Sequence, residues 1–414
     1  MKSENKISLQ KDKNEVEIKI ILVFKYIIMA IIVGIVVGII DTIFGRGLIE
    51  ISDFRNKNYK FLLPFLPIAG LFITWMYHKF NELSLKGMTL VFETRQQKRN
   101  SIPLALVPLV MVGTWITHLF GGSAGREGVA VQIGATLSHA FGKKLKMPDN
   151  SKVMLITGMA AGFGGLFQTP LTAVFFAIEV IVAGYMDYEA ILPAMIGAFV
   201  ASFTSHTLGL EKFEVNLNQT INMTDAKNGI AIIVLGIAFG IVGRLFSVFL
   251  QKSKKFMSEK IANPYMRIGI ISIPLAICLL FIFSGRYTGL GTNLISEALG
   301  GNEVYYYDWI LKLLFTIVTL AIGFQGGEVT PLFSIGATLG VVLGSLFGIS
   351  PIVCGALGYA AVFGSATNTL IAPIMIGIEV FGGTNMLPFV IVCAVAYIVN
   401  GNASIYSAQQ KSVM

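Results

Sequence analysis

The chain has 414 residues, of which 54% are hydrophobic and 13% charged, about half the roughly 25% charged share of soluble domains. So little polar surface cannot cover that much apolar surface in water, which excludes a disordered, fibrous or ordinary cytosolic protein and makes this an integral membrane protein. The net charge of +8 points to no nucleic acid, because the basic residues cluster between apolar runs, where they orient a membrane protein.

Residues 1–17 are polar and mixed in charge, and the apolar run that follows, 18–44, does not read as a signal peptide. Further apolar runs lie near 61–79, 102–120, 128–142, 153–184, 190–209, 228–250, 266–284, 307–324, 329–348 and 351–400. All are expected to be helical, because an open strand cannot cross hydrocarbon. Several fall short of the ~20 residues of a simple span, and Gly-rich breaks interrupt others. Short, broken segments predict discontinuous helices lining an ion or substrate site. Basic clusters at 2–25, 95–99, 143–152 and 252–267 predict one cytoplasmic face and a cytoplasmic N-terminus, with 211–226 as an outside loop. The expected organisation is a polar N-terminus (1–17), a first membrane repeat (18–209), an inter-repeat loop (210–227) and a second repeat (228–414).

The repeat rests on four landmarks in one order. Gly34-Ile-Val-Val-Gly38-Ile39 recurs as Gly236-Ile-Ala-Phe-Gly240-Ile241, and Ile133-Gly-Ala-Thr-Leu137 as Ile335-Gly-Ala-Thr-Leu339. Gly158-Met-Ala-Ala-Gly-Phe-Gly164 recurs as Gly358-Tyr-Ala-Ala-Val-Phe-Gly364, a register that also carries Ile178-Glu179-Val180 onto Ile378-Glu379-Val380. More weakly, Gly87-Met-Thr-Leu90 with Glu93 matches Gly291-Thr-Asn-Leu294 with Glu297. Two homologous halves place a site at their interface.

Two equivalent Gly-rich breaks carry the chemistry. Glu127 lies in Gly121-Gly-Ser-Ala-Gly-Arg-Glu-Gly-Val129, before an apolar helix, and Glu328 lies in Gly326-Gly-Glu-Val-Thr-Pro331. A helix start exposes unbonded N–H groups and a positive dipole end, which together favour an anion. A carboxylate there can compete with an external anion for one place, or cap its own helix, or pair with Arg126. Thr330 adds a hydroxyl donor. Gly87-Met88-Thr89 is a third break before a helical stretch, and Tyr406 follows the last apolar run. Glu179 and Glu379 are expected to be structural. The Gly-x-Ser-x-Gly pattern around Ser123 matches a hydrolase nucleophile motif, but transmembrane flanks disfavour that reading. Cys278, Cys354, Cys393 and the four histidines have no ligand spacing, so no metal and no cofactor are expected.

Gly125-Arg126-Glu127-Gly128 resembles the Gly-Arg-Glu-Gly-Pro signature of the CLC chloride channel and anion/proton antiporter family, with Val129 in place of the proline. Gly326-Gly-Glu-Val-Thr-Pro331 stands where that family has Gly-x-Phe-x-Pro, and Tyr406 where its last helix offers a tyrosine hydroxyl to the anion. The resemblance spans about 20–410. It implies an all-α membrane fold of two inverted repeats with short, tilted and broken helices, a homodimer with one pathway per subunit, and Glu127 as the gating glutamate. Where the family carries a chloride-coordinating serine this chain has Met88. That exchange, with Glu328 before Val329-Thr330-Pro331, resembles the bacterial fluoride/proton antiporter branch. Chloride antiporters carry a second, inner glutamate where Val180 stands. The chain ends eight residues after Tyr406, which fits a short bacterial form.

The expectation is therefore a proton-coupled fluoride exporter of the bacterial plasma membrane, not an enzyme. Its partners would be fluoride, protons, the lipid bilayer and a second copy. The anion site would be formed by Gly87, Met88, Gly128, Val329, Thr330 and Tyr406. Glu127 would exchange protons and anions, and Glu328 is a possible proton site. The alternative is a chloride channel or chloride/proton exchanger of the same fold.

Overall fold

In hydrocarbon a backbone can bond only to itself, and this chain meets that demand with helices. The computed structural model describes the backbone of residues 2–148 and 151–411, and side chains from residue 19 onward within those bounds. The first half contains α1 (Lys2–Leu62), α2 (Leu66–Phe80), α3 (Met88–Arg95), α4 (Leu106–Leu119), α5 (Glu127–Lys144), α6 (Lys152–Phe167), α7 (Pro170–Glu179) and α8 (Ile191–Thr207). The second contains α9 (Ala226–Lys260), α10 (Pro264–Phe281), α11 (Thr292–Leu299), α12 (Asp308–Ile322), α13 (Val329–Phe347), α14 (Pro351–Thr367), α15 (Ile371–Phe381) and α16 (Met386–Asn400).

The helices correspond one to one, α1 with α9 through α8 with α16. The glycine landmarks mark where they touch. A Cβ on Gly134 of α5 would stand 2.0 Å from the Gly158 carbonyl of α6, and one on Gly336 of α13 would stand 2.0 Å from the Gly358 carbonyl of α14. Only glycine permits that approach, so the same helix pair crosses at van der Waals contact in both halves.

Contacts between the halves are reciprocal. The Glu179 carboxylate, at the end of α7, accepts hydrogen bonds from Leu370 N at 2.5 Å and Ile371 N at 3.1 Å, at the start of α15. The Glu379 carboxylate, at the end of α15, accepts from Leu171 N at 2.9 Å and Thr172 N at 2.7 Å, at the start of α7. Each of these helix starts is thus capped by the other half's carboxylate. The structural role expected for both glutamates is what the geometry provides. Contacts that exchange in this way require a two-fold relation between the halves.

Two long apolar runs divide. Residues 153–184 break between α6 and α7, where Gln168 adopts φ 56° and Pro170 opens the next helix. Residues 351–400 become α14, α15 and α16, with a left-handed Asn368 (φ 57°) ending the first. α3 and α11 fall outside the apolar runs because they are only eight residues each. Among the described residues six helical stretches are long and apolar enough to cross a membrane, while α4, α6, α7, α14 and α15 are shorter. Exposed Ile68, Phe72, Phe203, Ile230 and Phe281 give the outer surface its apolar character.

The basic clusters gather on one face. Lys25 Nζ donates to the Leu145 carbonyl, Lys143 Nζ to the Asn100 carbonyl and Gln96 Nε2 to the Ala408 carbonyl. Lys254 and Arg267 line one cavity with Ala408.

Candidate functional site

Ahead of α5 and of α13 the chain breaks at glycines. Gly125 and Gly327, equivalent in the repeat, exchange both backbone hydrogen bonds, Gly125 N to Gly327 O at 2.5 Å and Gly327 N to Gly125 O at 2.8 Å. A Cβ on Gly125 would lie 2.9 Å from Pro331 Cδ and 3.0 Å from Gly327 O. The close approach brings the two helix starts head to head.

Glu127, the first residue of α5, is fully buried. It turns its carboxylate to the other half. Thr330 N donates to its Oε2 at 2.9 Å, and Thr330 Oγ1 lies 2.6 Å from both carboxylate oxygens. Arg126 N donates at 3.3 Å, and Arg126 Nε stands 3.8 Å away. The carboxylate therefore occupies the place that the start of α13 offers an anion. Tyr359, stacked on Phe333 with ring centroids 4.0 Å apart, is buried nearby, its hydroxyl without a hydrogen-bond partner among the described residues.

A cavity of about 370 Å³ opens toward the basic face, lined by Gly87, Met88, Phe92, Gln132, Lys254, Glu328 and Tyr406 among others. Gly87, at φ 50°, is the N-cap of α3, and Gly87, Met88 and Thr89 of that helix start, where backbone N–H groups lack intrahelical partners, line the cavity. The Tyr406 ring lies 5.1 Å from that of Phe92 and 6.4 Å from that of Phe176. The Tyr406 hydroxyl and Gln132 Oε1 are buried and make no hydrogen bond among the described residues. Gln251 Nε2 donates to the Ile405 carbonyl at 2.6 Å and fixes the segment that carries Tyr406.

The residues singled out in the sequence separate into two groups. Gly87, Met88, Glu328 and Tyr406 line the cavity, whereas Glu127, Gly128, Val329 and Thr330 sit behind it at the paired helix starts. Val329 puts its side chain in the core, so only its backbone can face an anion. Thr330 was expected to donate to the transported anion; here its hydroxyl donates to Glu127. Glu328 stands at the N-cap of α13 but makes no side-chain cap bond. Its Oε1 pairs with Lys254 Nζ at 3.5 Å. The hydrolase reading of Ser123 does not survive. The hydroxyl is fully buried against Thr316 Oγ1 and Lys312 Nζ, each at 2.9 Å, and the nearby His118 ring bonds only carbonyls, those of Thr114 and Ala124.

Sequence reasoning missed Phe92, Gln132 and Lys254. Gln132 was visible as the one amide in the run 128–142. Lys254 was read with the charges that set orientation, and nothing in its neighbours marks it apart. Among the described residues no group of His, Cys, Asp or Glu could hold a metal ion.

Residues 69–401 match the family model described as voltage gated chloride channel. A protein of Pseudomonas syringae pv. tomato named a chloride/fluoride channel protein is 33% identical over 396 residues, covering 93% of this chain and 86% of its own length. The crystal structure of a CLC-type fluoride/proton antiporter superposes with a TM-score of 0.93 at 48% identity, covering 94% of this chain and 98% of that one. A slow cyanobacterial chloride/proton antiporter shares the fold, with a TM-score of 0.79 at 19% identity over 92% of this chain and 96% of its own.

Proposed function

The chain belongs to the voltage-gated chloride channel family, and on that premise we propose that it exchanges fluoride for protons, carrying fluoride out of a bacterial cytoplasm. The observation that carries this reading is the Glu127 carboxylate held by Thr330 at the start of α13. It is an internal anion in an anion's place.

Fluoride would enter the cavity from the basic face, which we take as cytoplasmic together with the N-terminus. Dehydrating so small an anion must be offset by close N–H and O–H donors. The start of α3 at Met88 and the Tyr406 hydroxyl offer such donors at the cavity wall. Thr330 joins them once Glu127 leaves. Glu127 leaves as a neutral acid after taking a proton, and displaces fluoride when it returns ionised. One side chain then alternates between anion and proton, which couples the two flows. The cavity lies within a single chain, so each subunit of the proposed homodimer would hold its own pathway. A proton-binding role for Glu328 is part of the same reading.

Glu127→Gln keeps the shape and removes the titratable group. Proteoliposomes with an imposed fluoride gradient should then move fluoride with no coupled proton uptake, a loss of at least about a hundredfold in proton flux for an essential proton carrier. Proton transport driven by fluoride at the wild-type rate in that variant would sink the mechanism. Chloride moving as fast as fluoride through the wild-type protein would make it a chloride transporter instead.

A further inference from the structure

A carboxylate at the entrance of an anion pathway is an obstacle, and this cavity has one. Glu328 lines the wall with 12% of its side chain exposed, one residue ahead of the α13 start that holds Glu127. A negative charge there repels the ion the cavity has to admit. Its one ion-pair partner among the described residues is Lys254. The other cations of the cavity are engaged elsewhere. Lys86 stands 3.8 Å from Glu93, and Arg267 donates to the Ile322 and Ile261 carbonyls.

Resting on the fluoride-transport reading, we infer that Lys254 is the charge-compensating residue of the entrance. Its ammonium cancels the field of Glu328, so that fluoride meets a neutral pair with mobile N–H donors instead of a lone carboxylate. The position suits that task. Lys254 reaches the cavity from the basic end of α9, one turn beyond Gln251, which fixes the Tyr406 segment. The same helix end thus orders the tyrosine hydroxyl and balances the carboxylate across the cavity. At 41% side-chain exposure the ammonium can follow an arriving anion and return. A lysine that only pinned α9 to α13 would act through the pair's geometry, not through its charge.

The experiment is a charge cycle, read as fluoride affinity by titration calorimetry on the detergent-solubilised protein and as the half-saturating fluoride concentration in proteoliposomes. K254M should weaken fluoride about tenfold, the effect of one uncompensated charge near the site. K254R should stay within about threefold of wild type, and by calorimetry K254M/E328Q should bind fluoride several-fold more tightly than K254M. E328Q alone, which leaves Lys254 uncompensated, should tighten fluoride several-fold. That variant tests the inference even if K254M does not fold. Wild-type affinity in K254M, a double variant as weak as K254M, or weaker binding in E328Q would each overturn it. A wild-type protein that binds and moves no fluoride would overturn the functional reading, and this inference with it.

Discussion

The two halves build the same helix start twice and use it differently. At α5 the acidic residue is Glu127, fully buried and bonded across the interface to Thr330. At α13 it is Glu328, which borders the cavity and pairs with Lys254. Gly125 and Gly327 pair symmetrically just upstream of both, but Glu127 is the first helical residue of α5, whereas Glu328 is the N-cap of α13, one place earlier and level with Arg126. The donors differ as well. Behind the α13 start stands a hydroxyl, Thr330, while the equivalent place in α5 is Gly128. Repetition supplies two anion-attracting dipole ends, and a one-residue offset together with one hydroxyl leaves Glu127 bonded across the interface and Glu328 at the cavity wall.

The largest expected effects test whether the halves are equivalent where they look so. Gly134→Ala and Gly336→Ala each drive a Cβ to 2.0 Å from a carbonyl oxygen, and each should destabilise by about 3 kcal/mol, the upper end for overpacking. Thermal unfolding in detergent should show similar losses. A large drop in one and none in the other would mean that the halves do not share their packing.

The reciprocal caps should be less equal. Glu179 is 5% exposed and caps the start of α15, whereas Glu379 is only part-buried at the start of α7. An amide replaces two acceptor oxygens by one, so a buried N–H loses its partner. Glu179→Gln should cost about 2 kcal/mol and Glu379→Gln about 1, since water reaches the second site. The order of the two unfolding midpoints checks this, and a reversed order would show that burial is not what sets the cap's strength. Thr330→Val removes the hydroxyl that distinguishes α13 from α5. It should weaken the hold on Glu127 by about 1.5 kcal/mol or more, read as a rise of roughly tenfold in uncoupled fluoride leak. A variant that stays fully coupled would mean that the Thr330 backbone N–H alone holds the carboxylate.

The duplication was legible because its record is written in glycines, and glycine is required wherever two helices cross at backbone contact. Glu127 and Thr330 were legible because helix breaks and stray polar residues stand out in apolar sequence, whereas Met88 and Tyr406 stood out only through the resemblance to the chloride channel and antiporter family. Two kinds of information were not. The breaks at Gln168 and Asn368 depend on left-handed single residues, which hydropathy does not register, so 153–184 and 351–400 read as continuous. The partner of Glu328 could not be read either. Lys254 lies far away in sequence, among lysines whose common purpose is orientation, and only the fold shows which of them reaches the cavity.

Met88→Ser carries the smallest expected effect and bears most directly on selectivity. Met88 opens α3 at the cavity wall, where the chloride-type pattern that this sequence resembles has a serine. A thioether is a poor hydrogen-bond partner, so at this helix start an ion meets N–H groups and a bulky apolar wall. A hydroxyl in its place would add one donor and free volume, and both favour the larger and less strongly hydrated halide. One added contact in a preformed site shifts discrimination by about 1 kcal/mol, or several-fold. The ratio of chloride to fluoride efflux from proteoliposomes should rise by that much, with coupling intact because Glu127 and Thr330 are untouched. An unchanged ratio would move the origin of selectivity off α3, to the second half's helix start and the lysine-balanced carboxylate beside it.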